Sequence, residues 1–296
     1  MNETIHAMKI KYIVYSLLIT GILGAACIQK KKYPSPKGYD LNKPHKFLMP
    51  HSLEEVSGIT FYHGNADTVY AVQDEEGVLF YLHPGDNKAA RCRFGKNGDY
   101  EDLAICNDQV VMLRSNGKLY VFPFGETRQE EVTDVVETKD VLPDGEYEGM
   151  YADEQQNLLY VLCKQGCVDK TTKKSKGFIF RLQPGGALTQ TGEFIIDVKD
   201  IEKQVNEKKI NFHPAALAFN SRTAEWFIIS SVNKLLVVTD PSWKVKAVYQ
   251  LNPALYIQPE GIAFDNKGNL YISNEGNELN RGNILKIGYT EGKTAL

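Results

Sequence analysis

The chain has 296 residues, 43% of them hydrophobic and 24% charged, with a formal net charge of −3. That balance suits a globular protein and offers neither a basic field for nucleic acid nor a long acidic tail. No Gly-x-Ser-x-Gly step, phosphate loop or dinucleotide fingerprint occurs, so no familiar catalytic motif dictates the function.

The first element, residues 1–26, is expected to be a signal peptide. Lys9 and Lys11 precede or open an apolar run from Tyr12 to Ala26, which is short for a permanent span and right for a signal core. It ends in Leu23-Gly24-Ala25-Ala26-Cys27. Small residues before a cysteine have the form of a bacterial lipobox, which makes Cys27 the expected lipidation site and the membrane a partner through that anchor. Plain cleavage after Ala26 and an uncleaved anchor are the alternatives. Residues 27–50 form the expected tether, rich in Pro and Lys, with Phe47-Leu48-Met49 as a lead-in strand. Lys30, Lys31 and Lys32 give no acidic surface-export signal, which favours the cell envelope on the periplasmic side of the outer membrane.

From residue 51 to 290 one pattern recurs, leaving 291–296 as a tail. Five steps match: Glu55-Val56-Ser57-Gly58-Ile59, Asp99-Tyr100-Glu101-Asp102-Leu103, Glu146-Tyr147-Glu148-Gly149-Met150, His213-Pro214-Ala215-Ala216-Leu217 and Gln258-Pro259-Glu260-Gly261-Ile262. The equivalent points 58, 102, 149, 216 and 261 lie 44, 47, 67 and 45 residues apart. Each step leads to a turn and a β-branched, aromatic strand such as TVYAVQD or NLYISNE, then to a second strand such as VLFYLH or NILKIGY. Periods in the mid-forties with about four short strands each predict an all-β, five-bladed β-propeller. Six blades is the alternative, requiring a hidden repeat in the long gap. That gap holds a lysine-rich hairpin tip, CVDKTTKKSKG, and a polar helix-like piece, VKDIEKQVNEKK, which account for its length as insertions in one blade.

The stretches KGYDLNKPHKFLMPHSLEEVSGITFY, GDYEDLAI, EYEGMYAD and QPEGIAFDNKGNLYISNEGN, taken in order, resemble the SdiA-regulated family of bacterial propellers over about residues 38–290. The resemblance implies five blades, a distant kinship with NHL-type repeats, export, and a calcium site of the kind bound by a family member. It implies no established enzymatic activity.

In a propeller the innermost strands line a central channel, so equivalent positions meet around its axis. Ser57, Glu101, Glu148, Ala215 and Glu260 are equivalent. Three glutamates crowded at one level raise one another's pKa unless neutralised, and a hard cation with flexible oxygen coordination neutralises them well. The pattern alone favours pairing of each glutamate with backbone N–H groups or lysines; the resemblance tips the expectation to calcium as cofactor, with Glu101, Glu148 and Glu260 as its ligands. Asp74, Glu275 and Asn274 sit at matching strand ends in the first and last blades; a solvated turn is the favoured reading there, with a weaker second layer of ligands as the alternative. Arg114 and Lys164, at nearly the same place in blades two and three, are expected to pair with these carboxylates. Cys92, Cys106, Cys163 and Cys167 allow three disulfide connectivities; Cys163 and Cys167 are spaced for a bridge across a hairpin, with buried free thiols the competing reading. The leading expectation is a monomeric, exported binding module that takes an unidentified ligand or protein at one face. A calcium-dependent hydrolase of lactonase or phosphoesterase type is the alternative, for which no base stands out.

Overall fold

The computed structural model describes residues 32–168, 171–205, 209–277 and 279–292. The segment expected to be a signal peptide, Cys27 and the end of the tail lie outside the described residues. Among the described residues, twenty strands form five four-stranded antiparallel sheets. Blade one contains β2 (Val56–Thr60), β3 (Val69–Gln73), β4 (Val78–Leu82) and β5 (Ala90–Arg93); blade two contains β6 (Tyr100–Cys106), β7 (Gln109–Arg114), β8 (Leu119–Pro123) and β9 (Val136–Thr138). Blade three is longer, with β10 (Glu146–Asp153), β11 (Leu158–Gln165), β12 (Lys174–Leu182) and β13 (Leu188–Asp197). Blade four contains β14 (Ala216–Asn220), β15 (Glu225–Ser230), β16 (Leu235–Thr239) and β17 (Val245–Gln250).

Blade five closes the ring. Its strands β18 (Pro259–Phe264), β19 (Leu270–Asn274) and β20 (Asn283–Ile287) come from the end of the chain, and its outer strand is β1 (His45–Leu48) from the beginning. β1 runs antiparallel to β20, with His45 opposite Lys286 and Leu48 opposite Asn283. The lead-in strand expected at Phe47-Leu48-Met49 is thus a blade strand. Ahead of it, Tyr39 is buried between blades four and five, where its hydroxyl donates to Gly268 O at 2.8 Å and accepts from Asn220 Nδ2 at 2.9 Å.

The hydrophobic core is divided into five parts, one at each seam between blades. This follows from strand periodicity. In β15, Trp226 and Ile228 point into the seam with blade three, while Phe227 and Ile229 point into the seam with blade five. Both faces of a middle strand are therefore apolar, and β3, β16 and β19 are buried throughout. The 67-residue interval holds the long β11–β12 hairpin and β13, then helix α1 (Val198–Val205), so the insertions expected there account for its length. Helix α1 buries Val198 and Ile201 against the seam of blades three and four, beside the stacked rings of Phe194, Trp243 and Trp226.

Candidate functional site

Each innermost strand starts at the same end of the channel, and each second strand finishes there. In blades two, three and five the start carries a β-bulge. Tyr100 pairs with Arg114 and Asp102 with Leu113, leaving Glu101 as the extra residue. Tyr147 pairs with Cys163 and Gly149 with Leu162, leaving Glu148. Pro259 pairs with Asn274 and Gly261 with Ser273, leaving Glu260. A bulge re-aims the side chain of its extra residue, and such features gather at the rims of closed sheets. The five-fold repeat thus delivers three glutamates to one end of the channel by one local device. Blade one spends its bulge on Ser57 and Gly58, and no bulge occurs in the β14–β15 register of blade four.

The glycine station explains how the first strands pack so closely. A Cβ on Gly58 would lie 2.2 Å from Asp102 Oδ1 and 2.7 Å from Asp102 Cα. Asp102 stands where blades three and five carry Gly149 and Gly261. Its buried carboxylate accepts from Leu103 N at 2.8 Å and Met150 N at 2.6 Å, tying blade two to blade three. Burial raises its pKa well above the ordinary range while these two donors pull the other way. Ser273 Oγ bonds Ser57 O at 2.9 Å and ties blade five to blade one.

The three glutamates act on one another. Glu101 is pushed up to about 9, first by burial, then by the charges of Glu148 and Asp99, with Glu260 adding less. Glu260 is pushed up to about 7 by burial and then by Glu148. Glu148 is also raised, chiefly by burial, against the hydrogen bond and charge of Lys164. Lys164 Nζ forms an ion pair with Glu148 Oε1. Burial alone would lower Lys164, but the bond and charge of Glu148, with Glu101 and Glu146, raise it. The pairing expected for Lys164 is therefore present; Arg114 instead lies 5.5 Å from the centre of the Tyr100 ring. His213, near the same end, is lowered by burial and by Lys164, and Lys234 is lowered by burial against the pull of Glu260.

The second layer lies beside the seam of blades five and one. Glu275 is pushed up to about 7 by burial, then by Asp74 and Glu55, and accepts a hydrogen bond from Gln258 Nε2. Asp74 is raised by burial and by Glu75 and Asp99. Its Oδ1 is buried without a hydrogen-bond partner, as is Asn274 Oδ1. Asn274 itself is wholly buried, its amide donating to Leu255 O at 3.3 Å and Asn283 Oδ1 at 3.1 Å, which makes it a strand-end clamp between β19 and β20. Glu55, which heads the first of the five steps, joins this acidic group; the step pattern does not single it out as a site residue, although the acidic Asp99 and Glu146 hold the matching places.

The donor set is all oxygen and carries no His or Cys, which fits a hard cation. Among the described residues no group of three or more His, Cys, Asp or Glu side chains stands close enough to grip an ion in the present arrangement. The opposite end of the channel widens into a cavity of about 360 Å³ lined by all five innermost strands, including Ile59, Leu103, Met150, Leu217 and Ile262. Cys163 and Cys167 form a disulfide, whereas Cys92 and Cys106 are buried free thiols, so both readings of the cysteines apply, to different pairs.

Two solved structures are similar to the chain in fold. A glutaminyl cyclase of Myxococcus xanthus aligns with 14% identity over 83% of this chain and 96% of its own, at a TM-score of 0.55. A luciferin-regenerating enzyme aligns with 10% identity over 86% of this chain and 98% of its own, at a TM-score of 0.52. At such identities the likeness extends to the fold alone. No curated protein matches the sequence. The family model described as SdiA-regulated matches residues 37–280, which include β1, β19 and all three bulge glutamates, and the chain belongs to the SdiA-regulated family.

Proposed function

We propose that the glutamate-bearing end of the propeller binds a divalent cation, calcium being the ion its chemistry favours, and that the chain serves as an exported binding module anchored through Cys27. The carrying observation is that bulges bring Glu101, Glu148 and Glu260 to one end of the channel, where Lys164 pairs with Glu148 and its charge reaches the other two. Beside Lys164 and Lys234, Glu101 and Glu260 are held as neutral carboxyls by protons in a confined place, and a bound cation would take the place of those protons. These residues would hold the ion with backbone carbonyls and water, and the ion would order this end for a ligand or protein partner. The small-residue box before Cys27 supports the lipid anchor.

Calcium titration with thermal melting tests the first part. A ligand confined to the folded state adds about 2.7 kcal/mol at a hundredfold excess over its Kd, so the melting temperature should rise in the wild type. It should rise much less in Glu101→Gln and Glu260→Gln. No rise in the wild type refutes the site. Detergent partitioning of wild type against Cys27→Ala tests the anchor, and equal partitioning refutes it.

A second reading, a hydrolase, draws on one observation: Glu260, raised to about 7, lies in the range of a general acid or base. Both structural neighbours described above are named as enzymes. Calcium-dependent turnover of a lactone, aryl ester or phosphoester, abolished in Glu260→Gln, would establish it.

A further inference from the structure

The Lys164–Glu148 pair is built unlike anything else at its level of the channel. Glu146 pairs with Gln165 and Tyr147 with Cys163, so Lys164 is an extra residue on β11, next to the bulge that frees Glu148 on β10. Two successive bulges, one on each strand, aim the two charges at each other. The β3, β7, β15 and β19 registers carry no such extra residue on the second strand.

The same residue is bracketed by the disulfide. Cys163 and Cys167, 6.3 Å apart at Cα, close a five-residue loop around Lys164-Gln165-Gly166. Gly166, at φ +90°, lets the chain turn tightly. The loop lies against the start of β10: a Cβ on Gly145 would meet Cys167 Sγ at 2.5 Å and Gln165 O at 3.1 Å. Gln165 Nε2 donates to Glu146 Oε2 at 2.7 Å. The strand register, the disulfide and this packing all hold Lys164 against Glu148, and its charge reaches Glu101 and Glu260 more weakly.

We propose that Lys164 is a tethered counter-ion that competes with a divalent cation for the three glutamates, and that the Cys163–Cys167 disulfide is the clamp that keeps it in place. Cleaving the clamp loosens the tether and raises the affinity for the cation. This rests on the cation-binding reading above. Two positive occupants of one carboxylate group exclude each other through Coulomb repulsion, so weakening one strengthens the other. The reductant is a dithiol. The Sγ–Sγ bond breaks, each sulfur ends with one added electron and one proton, and the dithiol closes to its own disulfide.

Calcium binding is measured by calorimetry on the purified full-length chain in four states: wild type oxidised, wild type treated with dithiothreitol, and Lys164→Met under both conditions. Lys164→Met should bind calcium about tenfold more tightly than oxidised wild type, and reduction should tighten the wild type several-fold while leaving Lys164→Met unchanged. Hydrogen exchange in residues 144–150 and 163–167 should quicken on reduction. A Cys163→Ser, Cys167→Ser double variant should match the reduced wild type, which covers a disulfide that dithiothreitol does not reach. If wild type and Lys164→Met bind equally, the counter-ion role is overturned while the cation site stands. If only Lys164→Met binds, the counter-ion role is upheld and the wild-type cation site is not. Binding by neither overturns both. Equal tightening of both proteins on reduction, or unchanged exchange, overturns the clamp.

Discussion

Gly58 and Asp102 show how single residues set the spacing of the ring. The Asp102 carboxylate occupies the space a Cβ on Gly58 would need, and the same carboxylate bonds the backbone of the next blade at Met150. Gly58→Ala must displace backbone at Asp102 Cα as well as its side chain, and overpacking of this kind costs about 1–3 kcal/mol. Asp102→Ala leaves the N–H groups of Leu103 and Met150 without their acceptor, at about 1–3 kcal/mol. Denaturant melts of both variants check this; a Gly58→Ala protein as stable as wild type would show that the neighbouring strands yield freely. At this scale sequence reading found the glutamates but took Asp102 only as a stand-in for glycine. Its role depends on a hydrogen bond to a residue 48 positions away, which no local pattern displays.

Among the elements, the blade-three insertions are the clearest departure from the repeat. Their polar composition suggested a hairpin tip and a helix-like piece, and both are present. The pattern did not disclose that α1 docks on a seam. Its apolar side is Val198 and Ile201 with Val205, and they meet Phe194, Phe212 and Trp243 only after the sheet has folded. Lys173 Nζ reaches both carboxylate oxygens of Glu202 at 2.8 Å and ties the helix to the hairpin. Ile201 is fully buried, so Ile201→Ala should cost about 2–5 kcal/mol. Hydrogen exchange should localise the loss to α1 and β17, the strand beside it; a change spread evenly over all five blades would contradict the local docking.

For the whole molecule, closing the ring gathers like charges at one end. Glu101 at about 9 and Glu260 at about 7 both lie above the ordinary glutamate value of 4.5. An unfolded chain releases these protons near pH 4.5, so between about pH 4.5 and 9 the folded state binds more protons than the unfolded one. Stability from these two groups is therefore full at low pH and is lost as pH rises through that window. Melting without divalent cation should fall from pH 5 to pH 9, and Glu101→Gln should flatten the fall. A wild type that melts higher at pH 9 would contradict the burial of these carboxylates.

Most of the architecture was legible in the sequence because a propeller writes its period into the chain: each blade repeats one step, one turn and strands of one alternation. The count of five, the equivalence of Glu101, Glu148 and Glu260, and the insertions in blade three all follow from comparing the chain with itself. Local pattern alone left the cysteine pairing open and left Lys164 as one of two cations at similar stations. Ring closure by β1 and β20, the hold of Asp102 on Met150, and the facing bulges that join Lys164 to Glu148 depend on contacts between segments far apart in the chain or on strand register. Periodicity fixes which way a side chain alternates, but a bulge interrupts that alternation by one residue, and only the paired strand shows where the interruption falls.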